Sequence, residues 1–511
     1  MKTRIMKLKN IKYSLVVCGV LFTVLSCGED FLTVEPKGTV LEDKYYQNES
    51  QAYAGLVAVY DILGKQSKGF ENMICMLNAG SDDFNAAGGG ATDGAGIHAF
   101  GDYSLSQSTI PGSFWGDFYQ GIFRANVLLE KLPAVPMDEA KKARFAAETK
   151  ALRAYYYFEL VRTFRNIPLI LEPLKTPDIF NVVQATPEAV YAQIEKDLKE
   201  SLPGLPVIIT NKGDEAGRLS QGAAKALLGK VYLYEGKNAL SAAEFADVNG
   251  TPGGTSMYGY KLVADFADLW KISNKFNSES IIEIVHTDKS NADWGFWGGG
   301  KDEGNSVCIM VGPRGYNRSE NSTAPDYVSG WSFSTVRQSL YDVLKGDPRF
   351  DATILDMKAL KAAKQADWAP NYDDTGYFLK KFMPLNSDTS TGSGSTALNY
   401  KQDVYAIRLA DTYLMEAEAL GGTGTRAQAL LDAVRARVGL GSTPVSLDAI
   451  ALERRKELAG EGHRWFDLVR TGKAAAALAS KGFQAGKNEI WPIPFKELEN
   501  TKIVQNPNYN D

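Results

Sequence analysis

The sequence predicts a mainly α-helical protein, with paired helices forming a scaffold and one long irregular insert. Three observations carry that reading. A pattern of small and large residues, Ala-x-x-Leu followed by Tyr-x-Tyr, recurs along the chain. Residues 138–165 read as one long helix. Residues 249–400 are broken by Gly, Pro, Asn and Ser, with one clear strand candidate at 280–286.

Helical spacing of Ala52, Leu56, Val59 and Leu63 predicts a first helix over 50–64. The Gly-, Ser- and Asp-rich stretch 78–110 reads as a loop. Trp115, Tyr119, Ile122, Asn126 and Leu129 share a face of a helix over 114–132, ended by Pro133 and Pro136. Within 138–165, Ala147, Ala151 and Ala154 alternate with Leu152, Tyr155, Phe158 and Leu160. Thr186 followed by Pro187 caps a helix running to about 202. Residues 218–236 hold the recurring pattern. It returns at Ala410, Tyr413, Leu414, Ala417 and Ala419, with a partner helix over 427–438. Such pairs resemble degenerate tetratricopeptide repeats, whose small residues let helices approach closely. The scaffold therefore falls at about 50–64, 114–165, 187–248 and 403–470, within one domain over 49–511. Residues 386–396 are Ser-, Thr- and Gly-rich and read as a mobile loop.

The composition, 44% hydrophobic and 23% charged, is that of a globular chain. Lys2, Arg4, Lys7, Lys9 and Lys12 precede an apolar run over 15–25 that is short for a membrane span. It ends in Val24-Leu25-Ser26-Cys27, a lipobox. The expected mature protein loses residues 1–26, carries acyl chains on Cys27 and has a tether over 27–48. Two acyl chains anchor stably where one does not. Loss of the signal takes the formal charge from −5 to −10. That leaves no electrostatic footprint for nucleic acid. Cys75 and Cys308 have neither disulfide-framework nor metal-site spacing, and whether they pair is open.

No catalytic constellation emerges. The 3 His residues, His98, His286 and His463, lie far apart, with no zinc-site spacing. No G-x-S-x-G is present, and Gly298-Gly299-Gly300-Lys301 is not a P-loop. The expectation is no enzyme, no cofactor and no metal. Glu457 and Glu461 could form a carboxylate pair, but Arg454, Arg455 and Arg464 are at hand to neutralise them. An ion-pair lattice is the reading, with Glu461–Arg464 and Arg464–Asp467 as i,i+3 pairs. A ligand site is expected at Trp294, Phe296 and Trp297, in ADWGFWGGG. Rings between glycines can stack on the apolar face of a sugar; a small local core is the alternative. Asp82, Asp83, Phe84 and Asn85 could complete the site, as could Arg314, Tyr316 and Asn317. Trp331 reads as structural. The spacing around Asp82 is not that of an EF-hand.

The C-terminal run ERRKELAGEGHRWFDLVR (453–470), with WPIPFKEL (491–498) and QNPNY (505–509), resembles the SusD/RagB family signature. LRAYYYFELVRTFRNIPL, RLSQGAAKALLGKVYLY and IRLADTYLMEAEAL resemble further family segments. These are outer-membrane nutrient-binding lipoproteins of Bacteroidetes-type bacteria. The resemblance implies a SusD-like fold, a tetratricopeptide-like scaffold with an irregular ligand-binding part. It implies cell-surface capture of an oligo- or polysaccharide and delivery to a SusC-like TonB-dependent transporter. Glu29 and Asp30 resemble the acidic tag that sends such lipoproteins to the exterior. A RagB-like peptide-uptake protein is the alternative, and a glycoside hydrolase a more distant one.

Overall fold

The computed structural model describes residues 45–211, 213–289, 303–392 and 394–509. Cys27, Trp294, Phe296 and Trp297 lie outside them. The chain divides into residues 1–47 and 48–511, and the second unit holds the helices. No helix among the described residues is long and apolar enough to cross a membrane.

Nine of the helices form a rack. They span Glu49–Tyr60, Ser113–Lys131, Glu139–Phe164, Pro187–Ser201, Gln221–Tyr234, Asn238–Asn249, Leu409–Ala419, Gly424–Arg437 and Leu447–Glu457. Each packs against the next in this order. Their starts are written in the sequence. The side chains of Asp138, Thr186, Ser220 and Ser446 each accept a hydrogen bond from an N–H in the first turn. Their close approach is written there too: a Cβ on Gly229 would lie 3.0 Å from the Phe245 ring. The Glu139–Phe164 helix runs through the core, with Leu152, Tyr156 and Tyr157 fully enclosed. Its tyrosines reach out through the core with their hydroxyls. Tyr156 donates to the Val59 carbonyl and Tyr157 to the Ile170 carbonyl, which removes the cost of burying these groups.

The rack is interrupted once. Asn238–Asn249 and Leu409–Ala419 pack together although about 160 residues separate them in sequence. The intervening chain is the irregular insert. Its neck is closed by antiparallel strands Ser280–Ile284 and Val404–Arg408, with Ile284 opposite Val404 and Glu283 opposite Tyr405. The strand stops two residues short of the expected 286. Inside the insert, Asn317–Arg318 pairs with Ala366–Asp367 and Ile354–Asp356 with Tyr377–Leu379. The expected 78–110 loop contains a helix, Ala95–Gly101, and receives the end of another, Met73–Gly80. Both are short and Gly-containing, and packing on Trp465 and Trp491 rather than propensity supports Phe100 between them.

The C-terminal signature binds these parts together. Trp465 and Trp491 are buried against each other and against Phe100. Asn506 donates to the Phe164 and Trp491 carbonyls. Glu457 and Glu461 are not a bare carboxylate pair. Arg408 bonds both and also Glu279. Arg349 joins Asp347, Glu453 and Glu457, while Lys381 holds Glu461 at 2.7 Å. Burial would raise the Glu457 carboxyl, but Arg437, Arg408 and Arg349 hold it well below the ordinary range. The expected pairs of Arg464 are replaced by a longer reach, and the i,i+3 pair on this helix is Asp467–Arg470. Arg464 bonds Asp82, and Asp467 bonds Arg454 and Arg470. The turn over 458–463 redirects Arg464 away from Glu461. Cys75 and Cys308 are both buried and unbonded to each other.

Removing one partner of a buried ion lattice leaves charges uncompensated. Arg408→Ala is expected to lower unfolding free energy by about 3–5 kcal/mol, measured by chemical denaturation. A second prediction concerns Glu283, nearly enclosed at the neck. Burial, aided by Asp403, pushes its carboxyl up to about 8. Between its unfolded value near 4.5 and that value, the native chain holds a proton that the unfolded chain has released. This contribution to stability is therefore lost as pH rises through that window. Glu283→Gln should show a flatter dependence of Tm on pH there than the wild type.

Candidate functional site

The insert and the N-terminal loops meet at one face. Residues 83–88 run antiparallel to 332–337: the Asn85 N–H donates to Thr335, Gly88 to Ser332, and Arg337 to Asp83. Gly88 has φ +96°, and a Cβ there would lie 2.6 Å from the Phe333 ring. Residues 330–333 are in turn sewn to the preceding segment. Trp331 donates its N–H to Ile309, Ser332 to Gly312 and Phe333 to Met310. Gly330 lies so close to Gly312 that a Cβ would collide with its carbonyl oxygen.

This framework sets out a group of side chains. Trp331 is half-buried, and its ring lies 5.8 Å from Phe70. Phe70 rests edge-on against Phe333, 5.3 Å away. Beside them, the Arg314 guanidinium donates to the Trp331 carbonyl at 3.3 Å and stands 3.8 Å from the Asp93 carboxylate. Asp93 also accepts from the Gly89 N–H at 2.7 Å. Arg314 itself is anchored, its N–H donating to the Ser332 hydroxyl. Tyr372 is 41% exposed and packs on the His98 ring. Partly exposed rings beside a fixed cation–carboxylate pair suit a ligand with apolar faces and hydroxyl edges.

The candidates from sequence divide. Arg314 lies in this group. Asp82, Asp83 and Asn85 belong to the adjoining loop, where each side chain is held by a neighbour. Asp82 takes two bonds from Arg464, and Asp83 is buried against Arg455. Burial opposes ionisation of Asp82, but Arg464 and Arg455 outweigh it and lower its pKa. Asn85 donates to the Asp373 carbonyl. Lys481, pushed down to about 7 by burial, donates to the carbonyls of Ala79, Ser81 and Phe84 and so fixes the turn. Phe84 is buried. Tyr316 is 8% exposed and donates to the Pro325 carbonyl. Phe70, Asp93 and Tyr372 were not singled out from sequence. Phe70 is a lone aromatic between Gly69 and Glu71, with no periodicity to mark it. Trp331 carried a signal, its Gly-flanked position, but the reading there was structural. Among the described residues no group of three His, Cys, Asp or Glu gathers to hold a metal ion.

A rack of paired helices with a loop-rich insert and an aromatic face defines a class of helical binding protein, and the comparisons specify it. The SusD family model matches residues 278–509. A second model, described as starch-binding associating with outer membrane, matches residues 85–233. A solved structure, a laminarin binding SusD-like protein, is 63% identical, with TM-score 0.89 over 91% of this chain and all of the other. A surface glycan-binding protein A from Bacteroides thetaiotaomicron, in complex with laminarihexaose, is 25% identical. Its TM-score is 0.79, over 90% of this chain and 99% of that one. SusD-like protein P25 of Formosa agariphila is 24% identical, over 91% of this chain and 90% of its own. The chain belongs to the SusD family.

The close contact at Gly330 is a direct test of the framework. Gly330→Ala is expected to cost about 1–3 kcal/mol of stability. It should also shift Trp331, seen as a change in tryptophan fluorescence of the folded protein.

Proposed function

We propose that this protein binds a neutral glycan of the laminarin class at the bacterial surface and passes it to a SusC-like TonB-dependent transporter. The observation that carries the reading is the face at Phe70, Trp331, Arg314 and Asp93. Its rings offer stacking surfaces, and its charged pair offers donors and acceptors to hydroxyls. Two similar proteins, one laminarin-binding and one solved in complex with laminarihexaose, support the class. Trp294, Phe296 and Trp297 are assigned to ligand binding on the strength of their Gly-flanked sequence. Asp82, Asp83 and Asn85 serve the face by fixing the loop, and Tyr316 by bracing the segment that bears Arg314.

The protein binds and does not cleave. Glu457 and Glu461, the strongest carboxylate pair in the sequence, are fully committed to Arg408, Arg349, Arg437 and Lys381. Lipidation at Cys27 holds the protein in the outer membrane, which raises its local concentration beside the transporter.

The test is titration of laminarihexaose by calorimetry. Trp331→Ala and Trp297→Ala are each expected to weaken binding roughly thirtyfold, equivalent to about 2 kcal/mol. Tm should change little, because Trp331 is half-buried rather than enclosed and Trp297 is assigned here to the ligand. Unchanged affinity with a large fall in Tm would return the residue to the core.

A further inference from the structure

A second cleft lies on the other flank of the segment that bears Arg314 and Trp331. Its volume is about 830 Å³, within the range of small-ligand sites. The turn Phe266–Trp270 forms one wall. Pro325 and Tyr327 form another, and residues 380–388 a third. Tyr327 packs on Tyr316 at 5.8 Å, so one segment separates the cleft from the aromatic face.

We propose that this cleft is a second carbohydrate subsite, distinct from the face at Trp331, and the inference rests on the glycan reading above. Two features select the ligand. First, the cations of the walls are already occupied. Lys271 pairs with Asp268, Lys381 with Glu461, and Lys380 donates to the Asp351 carbonyl. Asp265, Asp351 and Asp388 also line the cleft, so its walls carry as much negative as positive charge and do not select an anionic ligand. Second, unengaged hydrogen-bonding groups remain. The Trp270 indole N–H is buried with no acceptor among the described residues. Asp388 accepts the Leu385 N–H with one carboxylate oxygen, which leaves the other. Gln402 spends its amide hydrogens on the Trp270 and Lys381 carbonyls, which leaves its oxygen as an acceptor. A buried donor without a partner costs stability that a ligand acceptor can recover. Ring and aliphatic surface at Trp270, Tyr327 and Leu385, together with isolated acceptors and one donor, matches the alternating faces and hydroxyls of a neutral sugar. A polymer that reaches both sites would bind by avidity.

The experiment uses the full chain in detergent, titrated with laminarihexaose by calorimetry and with polymeric laminarin by affinity electrophoresis. Wild type is expected to bind two hexasaccharides, and in Trp331→Ala one of the two events weakens roughly thirtyfold. Leu385→Arg, which fills the cleft from a side chain 36% exposed, should remove the other. Trp270→Phe keeps the ring against Phe382 and removes only the N–H. It should weaken the second event about fivefold or more. On polymeric laminarin, Leu385→Arg should lower apparent affinity about tenfold. Single-site binding in wild type, with Leu385→Arg and Trp270→Phe both neutral, overturns the second subsite and leaves the proposed function standing. Wild type that binds no laminarihexaose overturns both. Saturation of the cleft by trilysine in preference to the hexasaccharide, blocked by Leu385→Arg, assigns it to a cationic ligand and overturns the inference.

Discussion

Arg408 is the point at which the molecule is tied. It ends the second neck strand and begins the helix on which the rack resumes. Its guanidinium meets Glu279, which precedes the first neck strand, and Glu457 and Glu461 of the C-terminal signature. Three stretches far apart in sequence are thus fixed by one planar group whose donors are all spent. A buried charge of this kind contributes little net stability when compared with an apolar core. Its consequence here is geometric, because these bonds hold the neck and the signature in one relative position. The same signature moors the N-terminal loop through Arg455 and Arg464, which take Asp83 and Asp82. The aromatic face is therefore held from two sides by one short region of the chain.

This arrangement explains how an irregular surface can act as a site. Loops carry few regular hydrogen bonds of their own, yet binding needs rings held in place before the ligand arrives. Here the loop 83–88 borrows a ladder from 332–337, and Trp331 borrows one from the 309–313 segment. Arg314 is pinned through its own N–H as well as its guanidinium. Rigid, partly exposed rings lose little conformational entropy when a sugar stacks on them.

The helices were legible because their apolar pattern has the helical period over many turns, and because Thr186 with Pro187 marks one of their starts. The lattice around Glu457 was legible in kind, since acids and arginines alternate there, but its partners were not. Side-chain spacing along one helix predicts neighbours at i+3, and the turn at Gly460 and Gly462 sends Arg464 to Asp82 instead. The short Ala95–Gly101 helix was hidden because its support comes from Trp465 and Trp491, nearly four hundred residues on. Phe70 and Asp93 were hidden for a related reason. A site assembled from single residues on separate loops leaves no local pattern, and only the fold brings them together.

The insert enters and leaves the rack through a closed neck between two helices that already touch. Beyond the neck the insert is pinned to the scaffold again, where Arg349 meets Glu453 and Glu457 and Lys381 meets Glu461. Such an architecture works like a socket. Between these pins the loops are free to change in length and composition, so the surface they build can vary while the rack keeps its shape.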